Sequence, residues 1–507
     1  MTTPTFSPPT RFAPNATAYR LLPFDFHPLD GTSAARQVLV NAAGEHILVS
    51  RSVLEALVSQ RLQRDDPAYD DLKAKHFLTD SDARTPLALL ATKLRTKYSF
   101  LDGFTRLHIF VVTLRCDHSC HYCQVSRVTA SKAKYDMTPE AADRALDLVF
   151  RAPARSLKIE FQGGEPLLNF DLIRHIVHET ARRNAALPEE AKKEIQFVVA
   201  TNLSLLTDEI LTFLGEHHIH VSTSLDGPSF IHNANRPRPE NDAYERTLAG
   251  ISRVREALGD GAVAALMTTT RLSLDHPEAI VDEYAERGFD YIFLRPISPY
   301  GFAVKTQRKT GYGRTEFLDF YRRALDRVIA INRGGRFLVE VFAQLILTKI
   351  LTPFATGYVD LQSPTGAGIG AVVYNYDGDV YASDESRMLA EMGEKKFRLG
   401  SVHTDTYETL FGGPILRALV EDSIVDSLPG CAECAYKLYC GGDPVEHYAT
   451  QGDPIGHRPT SDFCTRNMGV ITHLLRLYHD GDPFIRELFW SWVQHTPSSV
   501  LLPTIPA

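Results

Sequence analysis

The apolar positions of this chain change their period twice. Between about 105 and 335 short apolar runs alternate with amphipathic stretches, six times over. The runs lie at 107–114, 157–161, 195–200, 219–224, 262–269 and 291–296. Each is bounded by turn residues and mostly apolar, as a strand covered on both faces must be. Between them 139–150, 172–184, 243–257 and 277–287 carry helical spacing. Strand and helix in alternation predict a parallel sheet, and six units predict a partial (β/α)6 barrel rather than eight closed ones. In such a fold the residues just past each strand carry the chemistry.

The flanks read differently. Runs at 37–41 and 46–50, joined across Ala42-Ala43-Gly44-Glu45, predict a hairpin. Helical spacing follows from Ser52, and 69–78 predicts a second short helix. Strands followed by helices make 1–95 a compact winged-helix-like module. The barrel occupies 105–335. Beyond Gly335 the period breaks: Asp377-Gly378 marks a hairpin, a cysteine-rich loop follows, and helices are predicted at 466–478 and 484–494. The resulting division is 336–480 for a C-terminal domain and 481–507 for a closing helix and tail. The chain is thus α/β, in line with about three domains at roughly 150 residues each.

Composition narrows the function. A net charge of −8 argues against a nucleic-acid footprint, which shows as a basic excess. Residues 1–20 lack the apolar core of a signal peptide, and no run approaches the roughly 18 apolar residues of a membrane span. The expectation is a cytoplasmic protein, without membrane or nucleic-acid partners, whose clustered cysteines bind metal rather than pair. There are seven cysteines, an odd number that fits complete disulfide pairing badly. They fall into a group of three (Cys116, Cys120, Cys123) and a group of four (Cys431, Cys434, Cys440, Cys464).

The first group directly follows the first barrel strand. Three thiolates can hold three irons of a [4Fe–4S] cluster and leave the fourth open for reaction; a zinc ion that recruits His118 or His121 is the alternative. The second strand runs into Gln162-Gly163-Gly164-Glu165-Pro166, where paired glycines let backbone approach a ligand closely and Glu165 offers a carboxylate to an ammonium group. Thr201-Asn202 ends the third strand. Ser224-Leu225-Asp226-Gly227-Pro228 ends the fourth, followed by His232 and Arg236-Pro237. Gly366 to Gly370 is no dinucleotide loop, because it precedes a strand. His217-His218-Ile219-His220 reads as a polar strand entrance.

On CxxxCxxC followed by GGEP, the chain resembles the radical S-adenosylmethionine (SAM) superfamily across the whole barrel. The resemblance implies SAM as cofactor and the three cysteines as ligands of its open [4Fe–4S] cluster. It also implies Tyr122 at the adenine, Gln162, Gly163, Gly164 and Glu165 at the methionine amino group, Asn202 nearby, and Ser224 and Arg236 at the ribose and carboxylate. A surface arginine and a packing tyrosine are the alternatives for Arg236 and Tyr122. Cys431-x2-Cys434-x5-Cys440 with Cys464 resembles the SPASM domain of radical SAM peptide maturases, whose full form has two auxiliary clusters. Here Gly441-Gly442-Asp443-Pro444 and Ser383 stand where further cysteines are expected. One closed, four-cysteine auxiliary [4Fe–4S] cluster is therefore implied, with a four-thiolate zinc as the alternative.

Beside Ser383, Asp384 resembles the proton-accepting aspartate of sulfatase-maturing relatives, with Glu385 as the second choice and a surface pair with Arg387 as the alternative. Tyr19-Arg-Leu-Leu-Pro-Phe, Tyr122-Cys-Gln-Val-Ser126, Ser383-Asp-Glu-Ser-Arg-Met and Cys440-Gly-Gly-Asp-Pro-Val look like the His-Xaa-Ser-system radical SAM maturases. The implied partners are a ribosomally made precursor peptide, held by the N-terminal module, and an electron donor such as flavodoxin or ferredoxin. The implied reaction is hydrogen abstraction from a peptide side chain by a 5′-deoxyadenosyl radical, then a carbon–carbon or carbon–heteroatom cross-link. Oxidation of one Ser or Cys side chain, or a non-enzymatic electron carrier or redox sensor, are the rival readings.

Overall fold

Asn41 ends the second strand of an antiparallel sheet and folds the chain back on itself. Its side-chain carbonyl accepts from the amides of Ala43 (2.8 Å) and Glu45 (3.1 Å), while Gly44 takes the left-handed conformation (φ +82°) that the turn needs. The sheet is β1 (Phe24–Pro28), β2 (Arg36–Asn41) and β3 (His46–Ser50), with β2 central. Ser50 caps α1 (Arg51–Val58), and α2 (Tyr69–Ala74) and α3 (Thr85–Lys97) follow. The helix expected over 69–78 stops at 74, and Leu78–Thr79 pairs instead with Arg20–Leu21. The computed structural model describes residues 19–30, 35–80, 84–128 and 131–496. The Pro-rich start before Tyr19 and the end of the tail lie outside these.

Alternation along β2 decides how this module sits. Leu39 points into the module's own core with Leu54, Leu57, Leu72 and Phe77, whereas Val38 and Val40 join the core of the rest of the chain. The junction is also hydrogen-bonded: Tyr439 donates to the Gly44 carbonyl (2.7 Å) and Arg476 Nε to that of Leu29 (2.8 Å). A β-sheet face cannot be left bare without exposing its apolar residues, so the module is not the self-contained unit that its local pattern predicts.

The barrel strands follow in register. They are β4 (Leu107–Thr113), β5 (Ser156–Gly163), β6 (Glu194–Ala200), β7 (His220–Ser224), β8 (Val263–Thr268) and β9 (Leu294–Arg295), each parallel to its neighbour. Their helices are α4 (Pro139–Arg151), α5 (Phe170–Ala185), α6 (Asp208–Glu216), α7 (Ala243–Leu258) and α8 (Pro277–Glu286), then the long α9 (Arg314–Arg333). The sixth strand is broken: Tyr291–Ile292 pairs with Val339–Glu340 and only Leu294–Arg295 pairs with β8.

On the other edge, β10 (Ala371–Tyr374) lies parallel to β4, and β11 (Asp379–Tyr381) and β12 (Arg398–Ser401) continue antiparallel. The hairpin read from Asp377-Gly378 thus extends the barrel's own sheet to nine strands. Helix α10 (Val341–Leu351) has no sequence signature of its own, because it is apolar and buried on most sides. Helix α11 (Asp384–Glu391) follows the hairpin, and α12 (Pro444–Gln451), α13 (Asp462–His479) and α14 (Pro483–Val493) close the described chain. Among the described residues no helix is long and apolar enough to cross a membrane.

Candidate active site

The loops after β4 and β5 are zipped together. The amides of Gly164 and Glu165 donate to the carbonyls of Thr113 (2.8 Å) and Arg115 (2.7 Å). A Cβ on Gly164 would lie 2.3 Å from the Arg115 oxygen, and one on Gly163 2.0 Å from that of Thr113. The close approach these glycines permit is therefore to the cysteine loop's own backbone, which sets Cys116 beside Glu165; a ligand-facing role alone does not account for them.

A cavity of about 440 Å³ opens at these strand ends. Cys116, Cys120, Cys123, Tyr122, Gln162, Gly163, Gly164, Glu165, Asn202, Ser224, Arg236, Asp384 and Glu385 all line it. So every cofactor-side and base candidate from the barrel and α11 faces one space. The C-terminal four cysteines do not.

Around the cysteine loop the polar groups are engaged with one another. Glu165 is 1% exposed and accepts from Thr201 Oγ1 (2.6 Å) and from the amides of Asn202 (2.8 Å) and Leu167 (3.1 Å). Burial nevertheless pushes its carboxyl up to about 7. Asp117, which the spacing did not single out, is the hub. It accepts from Asn202 Nδ2 (2.8 Å), Ser204 Oγ (2.5 Å) and Arg238 Nη1 (2.7 Å). Burial acts to raise its carboxyl, but hydrogen bonds from His118, Ser204 and Asn202 outweigh that and hold it well below the carboxylate range. The Asn202 amide is spent here, on Asp117 and His118.

Arg236 is no surface arginine. Its Nε donates to the fully buried Asp226 (3.0 Å), and the guanidinium lies 5.2 Å from the Tyr122 ring centroid. Tyr122 itself donates to Asp226 (2.8 Å). Tyr122 and Arg236 thus face the cavity from a shared anchor. Asp226 belongs to the same Ser224-Leu225-Asp226-Gly227-Pro228 run as Ser224, and its place at a strand end is the signal that points to it. Arg295 is the last residue of β9, where the strand-end rule points, and lines the cavity with Tyr358 and Asp360. The latter two come from the single helical turn at Val359–Leu361 and the residue before it, too short to carry a periodic signal.

Where the maturase pattern expects cysteines, at Ser383 and within Gly441-Gly442-Asp443-Pro444, the chain places helix caps. Ser383 accepts from the Ser386 amide (3.2 Å) at the start of α11. Asp443 accepts from the amides of Val445 (3.1 Å) and Glu446 (2.9 Å) at the start of α12. Beside it, a Cβ on Gly441 would meet the Asp360 carbonyl at 2.7 Å. Asp384 is bound to Arg387 (2.6 Å), as its alternative reading had it, but Arg387 is fully buried and reaches the Val125 carbonyl behind Cys123 (3.4 Å). The pair is internal and ties α11 to the cysteine loop. Glu385 differs: burial first, then the neighbouring Asp360 and Asp384 carboxylates, raise its carboxyl.

The C-terminal thiols lie together in the packed shell. Cys464 opens α13, its amide bonded to Ser461 Oγ (3.1 Å). Asn467 Nδ2 reaches Cys440 Sγ (3.4 Å) and Arg458 Nε reaches Cys431 Sγ (3.0 Å). Burial pushes Cys434 up to about 12, and the Cys440, Cys431 and Cys464 thiols add to it. In the barrel group burial likewise raises Cys120 to about 12, with a contribution from Cys123. All seven cysteines are free. Thiols so placed become thiolates when a cation shares the site, so both groups fit a metal cluster by their donor chemistry.

The remaining expectations hold locally. Gly366 to Gly370 leads into β10, and the Gly370 carbonyl receives the amides of Arg106 and Leu107. His220 opens β7, and His217 packs 4.3 Å from the Phe213 ring.

Comparison with known proteins bears on the same region. The family model of the Radical SAM superfamily matches residues 110–284, the span from β4 to α8. An AdoMet-dependent heme synthase of Methanosarcina barkeri is 32% identical over 371 residues, covering 70% of this chain and 95% of that protein. The solved structure of native anSMEcpe with bound AdoMet superposes with a TM-score of 0.62 at 18% identity, over 76% of this chain and 99% of that one. Streptococcus suis SuiB bound to its precursor peptide SuiA gives 0.50 at 14%, over 89% and 99%. Of two other curated relatives the chain spans 32% and 40% of their length. With a cavity built from the strand ends of the matched span, and a relative matched along nearly its whole length, this chain belongs to the radical SAM superfamily of enzymes, whose cofactors are SAM and a [4Fe–4S] cluster.

Proposed function

We propose that the protein is a radical SAM maturase that abstracts a side-chain hydrogen from a ribosomally synthesised precursor peptide and closes a cross-link, carbon to carbon or carbon to heteroatom. The observation that carries the reading is the single cavity onto which the three barrel cysteines, the SAM-side residues and two acidic side chains of α11 all face. When bound, SAM and the cluster of Cys116, Cys120 and Cys123 supply a 5′-deoxyadenosyl radical, while the chain supplies orientation and exclusion of water. Glu165 holds the methionine ammonium, and Tyr122, Asn202, Ser224 and Arg236 form the walls around the rest of SAM. Glu385 takes the proton that leaves with product formation, ahead of Asp384, whose carboxylate is committed to Arg387.

Cys431, Cys434, Cys440 and Cys464 hold one auxiliary [4Fe–4S] cluster with no open iron, suited to accepting an electron. The N-terminal module offers β1 as a sheet edge, the feature by which extended peptides are commonly added as a further strand. SuiB with its bound precursor peptide shares this overall architecture. An external one-electron donor of flavodoxin or ferredoxin type completes the cycle.

Co-expression with a candidate precursor peptide and tandem mass spectrometry tests the proposal. A cross-link removes two hydrogens and suppresses fragmentation between the joined residues. The rival, oxidation of one side chain, would leave fragmentation continuous and place the mass change on one residue.

A further inference from the structure

The main cavity does not end at Glu385. Beside it lies a smaller space of about 60 Å³, and beyond that an outer groove of about 440 Å³. Arg295, Tyr358, Asp360 and Glu385 wall both the main cavity and the smaller space. Glu446 and Arg466, with 296–299, wall both the smaller space and the groove. Asp443 and Tyr300 line the space between. A row of four carboxylates, Glu385, Asp360, Asp443 and Glu446, therefore runs from the reaction chamber to the outer groove, and among the described residues only Arg295 and Arg466 line the middle space as cations.

Two buried polar atoms bear on what fills this row. Among the described residues the Tyr300 hydroxyl, on a side chain 1% exposed, has no hydrogen-bond partner, and neither has Asn467 Oδ1, also on a residue 1% exposed. Both residues line the smaller space. Buried polar groups in folded proteins almost always find a partner, in protein or in water, and a space of this size has room for water. The charges also fail to balance: four half-buried or buried carboxylates stand against two guanidiniums, a surplus that favours protons on the row. In keeping with this, burial raises the carboxyls of Glu385, Asp360 and Asp443, and each is pushed further by its carboxylate neighbours or held back by Arg295.

We propose that this row is a proton outlet, leading from Glu385 through cavity water, Asp360, Tyr300 and Asp443 to Glu446 at the outer groove. A proton that enters at Glu385 displaces one that leaves from Glu446 to bulk water; only O–H bonds are exchanged and the row ends as it began. Electron and proton would then leave the chamber on the same side, since Asn467 touches both this space and Cys440. That shared direction rests on the maturase reading; the outlet itself does not.

The test uses the full chain with its clusters loaded and no peptide. Infrared difference spectra between wild type and Glu385→Gln identify the Glu385 carboxylic acid band, and rapid mixing into D2O times its shift. Glu446→Gln, Asp443→Asn (which keeps the cap) and Tyr300→Phe are each expected to slow exchange at least tenfold. Gln307→Asn, on the wall of the outer groove alone, should leave it unchanged. Wild-type exchange in all three folded variants, or the lack of any acid band from Glu385 while the chain is folded, would overturn the outlet. Slowed exchange with no modified peptide from any precursor would count against the maturase reading and leave the outlet standing.

Discussion

The two cysteine groups hold the same thiol chemistry in opposite settings. Cys116, Cys120 and Cys123 sit on a loop at a strand end and face a cavity large enough for a cofactor and a substrate residue. Cys431, Cys434, Cys440 and Cys464 are wrapped by Tyr436, Tyr439, Arg458 and Asn467 and line no part of that cavity. The number of thiols matters less than what they leave open. On the proposed reading, three ligands beside a chamber leave one iron free to react, whereas four away from it leave none.

Breaking either site should give opposite failures, and this is the largest effect expected. Cys116→Ala should abolish 5′-deoxyadenosine formation. Cys434→Ala, in folded protein, should form it without product. Complete loss of SAM cleavage in a folded Cys434 variant would erase the contrast between the groups.

Next comes the proton. If Glu385 is the acceptor, Glu385→Gln should lower product about 10²–10⁴-fold while 5′-deoxyadenosine still forms, and Asp384→Asn should do less. Product assays in which Asp384→Asn falls further would restore the order that the motif resemblance implied.

SAM binding gives a smaller effect. Glu165→Gln removes a charged partner of the ammonium, a loss of about 1.5–3 kcal/mol, or roughly ten- to hundredfold in Kd by equilibrium dialysis. The sign with pH follows from its raised carboxyl. Only the anion pairs with ammonium, so affinity should fall as pH drops through about 7, and Glu165→Gln should show no such limb.

How far the sequence carried this picture depended on periodicity. The six strands and the CxxxCxxC and GGEP loops were legible because strand ends and cysteine spacing are local. Asp117 as hub was not, since its partners Ser204 and Arg238 lie on other loops and meet it only after folding. Nor was Asp360, which sits in a single helical turn too short to show a period. The order of Asp384 and Glu385 depended on Arg387, one helical turn on; that pairing was legible, but its burial was not. Similarly, β2 shows its alternation in the sequence without revealing that both its faces are covered.

Two smaller effects sharpen the comparison. Ser383→Ala removes the cap that replaced a cysteine and should cost about 0.5–2 kcal/mol, read as a lower Tm with cluster content unchanged. Because the N-terminal module shares a core with the rest, deleting it is a poor test of peptide recognition. Phe26→Ser, at a residue 52% exposed on the edge strand β1, should weaken precursor binding modestly and leave SAM cleavage intact.

The contrast between an open and a closed site is tested most directly by electron paramagnetic resonance of the reduced, iron-loaded chain with and without SAM. Two [4Fe–4S] signals are expected, from about eight irons per chain. SAM should change one of them, the signal lost in Cys116→Ala, and leave the other untouched. A SAM-induced change in the signal lost in Cys434→Ala, or four irons together with one zinc, would contradict the account.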